Sequence, residues 1–145
     1  MSDSQQSQTK HDVDFSVLGQ TGLLPLWGRY WWHKNDTFAF KDPFALKVVE
    51  NTNYDFSIID KHIGGYGIAL WGHRSFRLDA ISRAHLNKHP DGFVVNLGAG
   101  LDDPFQRIDN GTATVIDCDF PDTLTFREKF LEPNPRRVVY KGSFF

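Results

Sequence analysis

The chain has 145 residues, enough for one domain with a sizeable core, and its 13 Phe, 4 Trp and 4 Tyr carry the apolar area to fill it. Its 16 basic and 18 acidic residues nearly cancel, and no basic run exceeds Arg136-Arg137, so nothing marks a nucleic acid or other polyanion as a partner. Cys118 is the sole cysteine, which excludes an intrachain disulfide and fits a reducing cytoplasm.

The first 14 residues are polar, without period and without the apolar core of a signal peptide, and are expected to form a disordered tail. The longest apolar stretch, Leu23 to Trp32, is interrupted by Pro25, Gly28 and Arg29 and is too short to span a bilayer. These features describe a soluble, cytoplasmic protein without a membrane partner. Residues 15–92 read as a helical region. Asp42-Pro43 marks a helix start, with Asp as N-cap and Pro at the first helical position. Phe44, Ala45, Val48 and Val49 then share one face, and Asn51-Thr52-Asn53 ends the helix. Gly64-Gly65 and Gly67 predict a break. A long helix is expected from about Tyr66 to Lys88, with Trp71, Leu78, Ile81 and Leu86 on its apolar side, stopped by Pro90-Asp91-Gly92.

The pattern changes at Phe93. Phe93 to Leu97 is a nearly continuous apolar run, as expected of a strand buried on both faces. Thr114 to Cys118 is a second strand, Pro121 to Leu131 an amphipathic helix with Leu124, Phe130 and Leu131 toward the core, and Arg137 to Lys141 a third strand. Residues 93–145 thus read as alternating strands and helices of an α/β sheet.

The first strand ends in Gly98-Ala99-Gly100, and the second ends in Asp117-Cys118-Asp119. Glycines at such a turn let the backbone approach a nucleotide, and an acid at the end of the next strand suits a ribose. Asp119, nearer the strand's carboxyl end, is assigned the ribose contact; Asp117 is the weaker candidate, suited to capping or orienting the turn. A dinucleotide fingerprint wants a third glycine at position 103. Asp103 stands there, and its charge suits a pyrophosphate poorly. An adenosine ligand without phosphate, S-adenosylmethionine, fits better than NAD. An ordinary tight turn followed by an ordinary helix start is the alternative reading of the same residues.

Other groupings carry less. His85 and His89 have metal-ligand spacing but no third ligand, so solvated helix-end histidines are expected and no metal site. Trp27, Tyr30, Trp31 and Trp32 read as packing rather than a stacking platform, and Cys118 as an inert core thiol.

Val94 to Asp102 resembles the first motif of the leucine carboxyl methyltransferase family, which includes O-methyltransferases associated with polyketide biosynthesis. Further segments resemble it in order: Leu24 to Arg29, Lys41 to Ala45, Tyr54 to Ser57, Arg74 with Asp79, Asp117 to Pro121, and Lys141 to Ser143. The resemblance implies a class I, S-adenosylmethionine-dependent O-methyltransferase acting on a small-molecule or carboxylate acceptor. It implies a helical lid followed by the first half of a Rossmann-like sheet, strands 3-2-1. It also implies that Arg74 pairs with the methionine carboxylate, with Arg29 nearby as a second cation. Gly98, Ala99 and Gly100 then line the methionyl and ribose region and Asp119 binds the ribose. No catalytic base is assigned. The chain departs from the family pattern at Asp102-Asp103-Pro104, where Asp-Thr-Arg is usual. It is also shorter than family members, which suggests a truncated chain whose first strand becomes an exposed apolar edge. A degenerate, non-catalytic half-domain pairing with another chain through that edge is the alternative function.

Overall fold

The computed structural model describes residues 9–143. In chain order these form β1 (His11–Asp12), α1 (Val17–Gln20), α2 (Leu23–Lys34), α3 (Pro43–Glu50), β2 (Thr52–Asn53), α4 (Ser57–Lys88), β3 (Phe93–Leu97), α5 (Pro104–Ile108), β4 (Thr114–Asp119), α6 (Pro121–Glu128) and β5 (Arg137–Lys141), with a short 3-10 turn at Thr37–Ala39. The chain is a mixed α/β protein with parallel strand pairing. β1 pairs with β2, and the larger sheet has the order β3-β4-β5, every neighbour parallel. The segment expected to lie outside the fold as far as residue 14 joins it at His11, where β1 finds open backbone groups along β2. Residues 1–8 of that tail lie outside the described residues. Among the described residues no helix is long and apolar enough to cross a membrane.

The start of α3 follows from its sequence. The Asp42 side chain accepts a hydrogen bond from the Ala45 amide at 2.8 Å, Pro43 opens the helix, and Phe44, Ala45, Val48 and Val49 are all buried. These residues join Leu23, Leu26, Phe56, Ile59 and the α6-side Phe126 and Phe130 in the larger core. The aromatic run also packs: Trp27 stacks on Tyr30 and Phe56, and Trp32 is buried.

The expected glycine break is present: Gly64, with φ +69° and ψ −179°, is non-helical and divides α4 at a kink, so the long helix after it runs to Lys88 and a shorter helical segment from Ser57 precedes it. The expected apolar side of α4 is corrected. Its buried side is Ile68, Gly72, Ser75, Asp79 and Leu86, whereas Leu78 and Ile81 are more than half exposed. The inward residues are small or polar because of what they face. A methyl on Gly72 would stand 2.2 Å from the Trp32 ring of α2, and one on Gly28 would stand 2.7 Å from Trp71 Cβ. The α2–α4 contact therefore needs glycine on both helices.

A further correction concerns β3. It alternates between half-buried and exposed residues instead of being covered on both sides. Leu86, Phe105, Ile108 and Ala113 pack with Val94 and Val115 on one face of the sheet. On that face Arg127 of α6 also meets Asp117 of β4. On the other face Phe93, Val95 and Leu97, with Val138 and Tyr140, remain exposed. β3 pairs only with β4, so its outer edge has no strand beside it among the described residues.

Gly72→Ala should lower stability by about 1–3 kcal/mol, because the added methyl overpacks the Trp32 contact. Urea unfolding of the two proteins measures this. An unchanged midpoint would show that the α2–α4 contact is loose.

Candidate functional site

A cavity of about 630 Å³ opens where the carboxyl ends of β3 and β4 meet α2 and α4. This is the position at which parallel α/β sheets hold ligands, and the size suits a small molecule or cofactor. Arg29, Arg74, Gly98, Ala99, Gly100 and Asp119 all line it. Residues from four separate parts of the sequence thus converge on one cavity.

The glycine turn is built by its backbone. Gly98 has φ +67° and Gly100 φ +54°, values that L side chains rarely adopt. The amides of Gly98 and Ala99 donate to the Cys118 carbonyl at 2.9 and 3.0 Å, continuing the β3–β4 pairing into the turn. One oxygen of Asp119 accepts from the Gly100 amide at 2.6 Å and the other from the Phe120 amide at 2.7 Å. Asp119 therefore shapes the turn and keeps acceptor capacity toward the cavity, since a carboxylate accepts at about four positions. Asp117 takes a different part. It is fully buried, accepts from Asn96 at 3.0 Å and pairs with Arg127, so it ties the sheet to α6.

The two arginines differ sharply. Arg74 projects from α4 into the cavity wall, is exposed, and makes no ion pair or hydrogen bond among the described residues. Arg29 is 2% exposed. Its guanidinium donates to Asp42 at 2.9 Å and to the Leu101 carbonyl, and lies 3.4 Å from Asp102. It supports the turn from beneath, whereas Arg74 stands without such partners among the described residues.

Sequence reasoning gave Arg107 no part in the site. It is buried on α5, holds Asp79 through two hydrogen bonds of 2.7 and 3.2 Å, and donates to Asp42 at 2.9 Å and Asp102 at 2.8 Å. Asp42, Asp79 and Asp102 thus gather around Arg29 and Arg107, joining α2, the start of α3, α4, the glycine turn and α5. In the sequence Asp79 stands out only as part of a motif, and nothing local signals that these residues meet. Burial pushes the Asp79 carboxyl up, more than Arg107 pulls it down. Burial also opposes ionisation of Asp102, but Arg107 and then Arg29 outweigh it and hold the carboxyl well below the usual range.

Asp103 lies elsewhere. It is fully buried and pairs with Arg137 of β5 at 2.9 Å, and it is absent from the cavity lining. Its charge is neutralised behind the turn, so the expected repulsion of a phosphate has no geometric basis at this position. Burial pushes the Cys118 thiol up, and Asp117 adds to this, consistent with an unreactive thiol. The rings of His85 and His89 lie 4.9 Å apart, tilted by 38°, at the exposed end of α4. Among the described residues no group of three or more His, Cys, Asp or Glu side chains is placed to hold a metal ion.

The turn, the acid of the second strand and the helical segments in front of them have the order and spacing of one family. Residues 24–140 match the model of the leucine carboxyl methyltransferases, and the chain belongs to that family. Over 101 residues it is 32% identical to the tetracenomycin polyketide synthesis O-methyltransferase TcmP of Streptomyces glaucescens. That match covers 69% of this chain and 36% of TcmP, so the chain spans little more than a third of the relative's length. No solved structure matches the chain.

A carboxylate that is more acidic in the fold than in the unfolded chain stabilises the fold once ionised, and loses that effect as pH falls through its native value. Asp102→Asn should therefore be less stable than the wild type at neutral pH, and the difference should narrow below about pH 4. Urea unfolding across a pH series reads this. A difference independent of pH would assign Asp102 a steric role instead.

Proposed function

We propose that the chain is the cofactor-binding part of an S-adenosylmethionine-dependent O-methyltransferase acting on a small-molecule or carboxylate acceptor. The observation that carries this is the convergence of Arg74, Gly98 to Gly100 and Asp119 on one cavity in a chain of this family. The residues fit the cofactor's parts. Arg74 is an uncommitted cation suited to a carboxylate, the open glycine turn admits close approach, and Asp119 offers acceptors to ribose hydroxyls. Arg29 acts from below, holding Leu101 and Asp102 in place. S-adenosylmethionine, when bound, supplies a methyl group on a sulfonium, which transfers by direct displacement. The chain's own contribution is to bind, orient and desolvate. Residues 15–92 serve as the lid over that site, and residues 93–145 as the first half of the Rossmann-like sheet. The chain's working compartment is the cytoplasm.

Calorimetric titration with S-adenosylhomocysteine tests the cofactor reading. Saturable binding is expected, weakened at least about tenfold by Asp119→Ala, which removes a charged acceptor. Absence of binding by folded protein would overturn it.

The open edge of β3 favours a second reading, a non-catalytic half-domain that pairs with another chain. Exposed strand edges with apolar faces invite such pairing. Phe93, Val95 and Leu97 supply that face. Sedimentation velocity should then show association that rises with concentration and is suppressed by Val95→Lys. A monomer at all concentrations would remove this reading.

A further inference from the structure

The charges of the chain nearly cancel as a whole, but not along α4. From Gly65 to His89 the basic residues are Arg74, Arg77, Arg83 and Lys88, with His73, His85 and His89 among them, and the sole acid is Asp79. Asp79 is buried and held by Arg107, so it balances none of these cations.

Three of the cations share a face with apolar side chains. Ile68, Gly72, Ser75, Asp79 and Leu86 are the buried residues of this part of the helix. Leu70, Arg74, Arg77, Ile81 and Lys88 recur at intervals of four, three, four and seven residues on the opposite side. All five are exposed, Leu70 by 52% and Ile81 by 61%. Arg74, Arg77 and Lys88 make no ion pair or hydrogen bond among the described residues. The face is also hollowed: a cavity of about 400 Å³ is lined by Leu70, Trp71, His73, Arg74, Arg77 and Leu78.

A helix face that meets only water carries charges of both signs three and four residues apart, where they attract. Arg74 and Arg77 are instead like charges one turn apart, which disfavours the helix. Exposed apolar residues grouped in one patch mark a surface that another molecule covers.

We infer that the outward face of α4 docks an acidic amphipathic helix of a partner protein. The apolar side of that helix lies over Leu70, Leu78 and Ile81, and its carboxylates meet Arg77 and Lys88. Charge and shape together select this occupant. A nucleic acid would use the cations and leave the apolar residues uncovered. A bilayer takes in apolar side chains that project beyond their cations, whereas Leu70 and Leu78 line a recess together with the arginines. A second copy would set the same cations against each other across a two-fold axis. Arg77 and Lys88 have no part in the cofactor cavity, so the docking surface stands whether or not that cavity holds S-adenosylmethionine.

Fluorescence anisotropy on the intact chain tests this with three labelled synthetic peptides. The first is helical, with leucine on one side and glutamate on the other. The second replaces its glutamates by lysine, and the third keeps the first composition in an order without helical period. The first should bind saturably, at least about tenfold more tightly than the other two, and should weaken as salt is raised. Arg77→Glu and Ile81→Glu should each weaken it at least about tenfold while keeping the wild-type circular dichroism and urea midpoint, since both positions are exposed. Equal affinity for the acidic and basic peptides, equal affinity for the ordered and scrambled acidic peptides, or no binding by folded wild type would each overturn the assignment. Cosedimentation with phosphatidylserine vesicles that is lost in Arg77→Glu, without binding of the acidic peptide, would overturn it in favour of a membrane. A monomer–dimer equilibrium abolished by Arg77→Glu would overturn it in favour of a second copy.

Discussion

The buried meeting of Arg29 and Arg107 with three aspartates is the constraint on which the site depends. It joins parts of the chain that share little else. Asp42 caps α3, Asp79 lies on α4, Arg29 on α2 and Arg107 on α5, and Asp102 follows the glycine turn. Such clusters are a poor route to stability, because desolvating the charges costs about as much as their attraction returns. What the cluster supplies is direction. A guanidinium offers donors in a fixed plane, so Arg107 sets where three carboxylates sit relative to one another. Apolar residues of equal volume could fill the space but would not aim Asp102 at the cavity.

A second buried network stands behind the turn. Asp117 meets Arg127, and Asp103 meets Arg137, tying β4 to α6 and the start of α5 to β5. Nε and Nη1 of Arg127 are buried without partners among the described residues, so this network is satisfied less fully than the first. The division of labour among neighbouring acids follows from these two networks. Asp102 and Asp119 face the cavity, while Asp103 and Asp117 hold the turn and its strand from behind.

The sequence made some of this legible and hid the rest for physical reasons. The α3 start could be read because an N-cap aspartate and a following proline act within one turn of helix. The glycine turn and Asp119 could be read because strand periodicity and turn chemistry are local. The inward face of α4 could not. Periodicity analysis looks for apolar side chains, but the helix turns Gly72, Ser75 and Asp79 inward to admit an indole and to meet an arginine. β3 misled in the opposite way. A continuous apolar run signals a strand made to be covered twice, and among the described residues only one side of this one is covered. Arg107 left no trace, since its partners Asp79 and Asp42 lie 28 and 65 positions away.

Those separations bear on when the cavity takes shape during folding. Arg29 reaches the Leu101 carbonyl across 72 positions. Contacts this distant in sequence close large loops and form after local helices and turns. Short stretches such as α3 can acquire structure early, but the glycine turn gains its support from α2 only when the two ends of that loop have met. The ligand cavity is therefore among the last features to mature, and a partly folded chain can hold much of its helix while offering no place to bind.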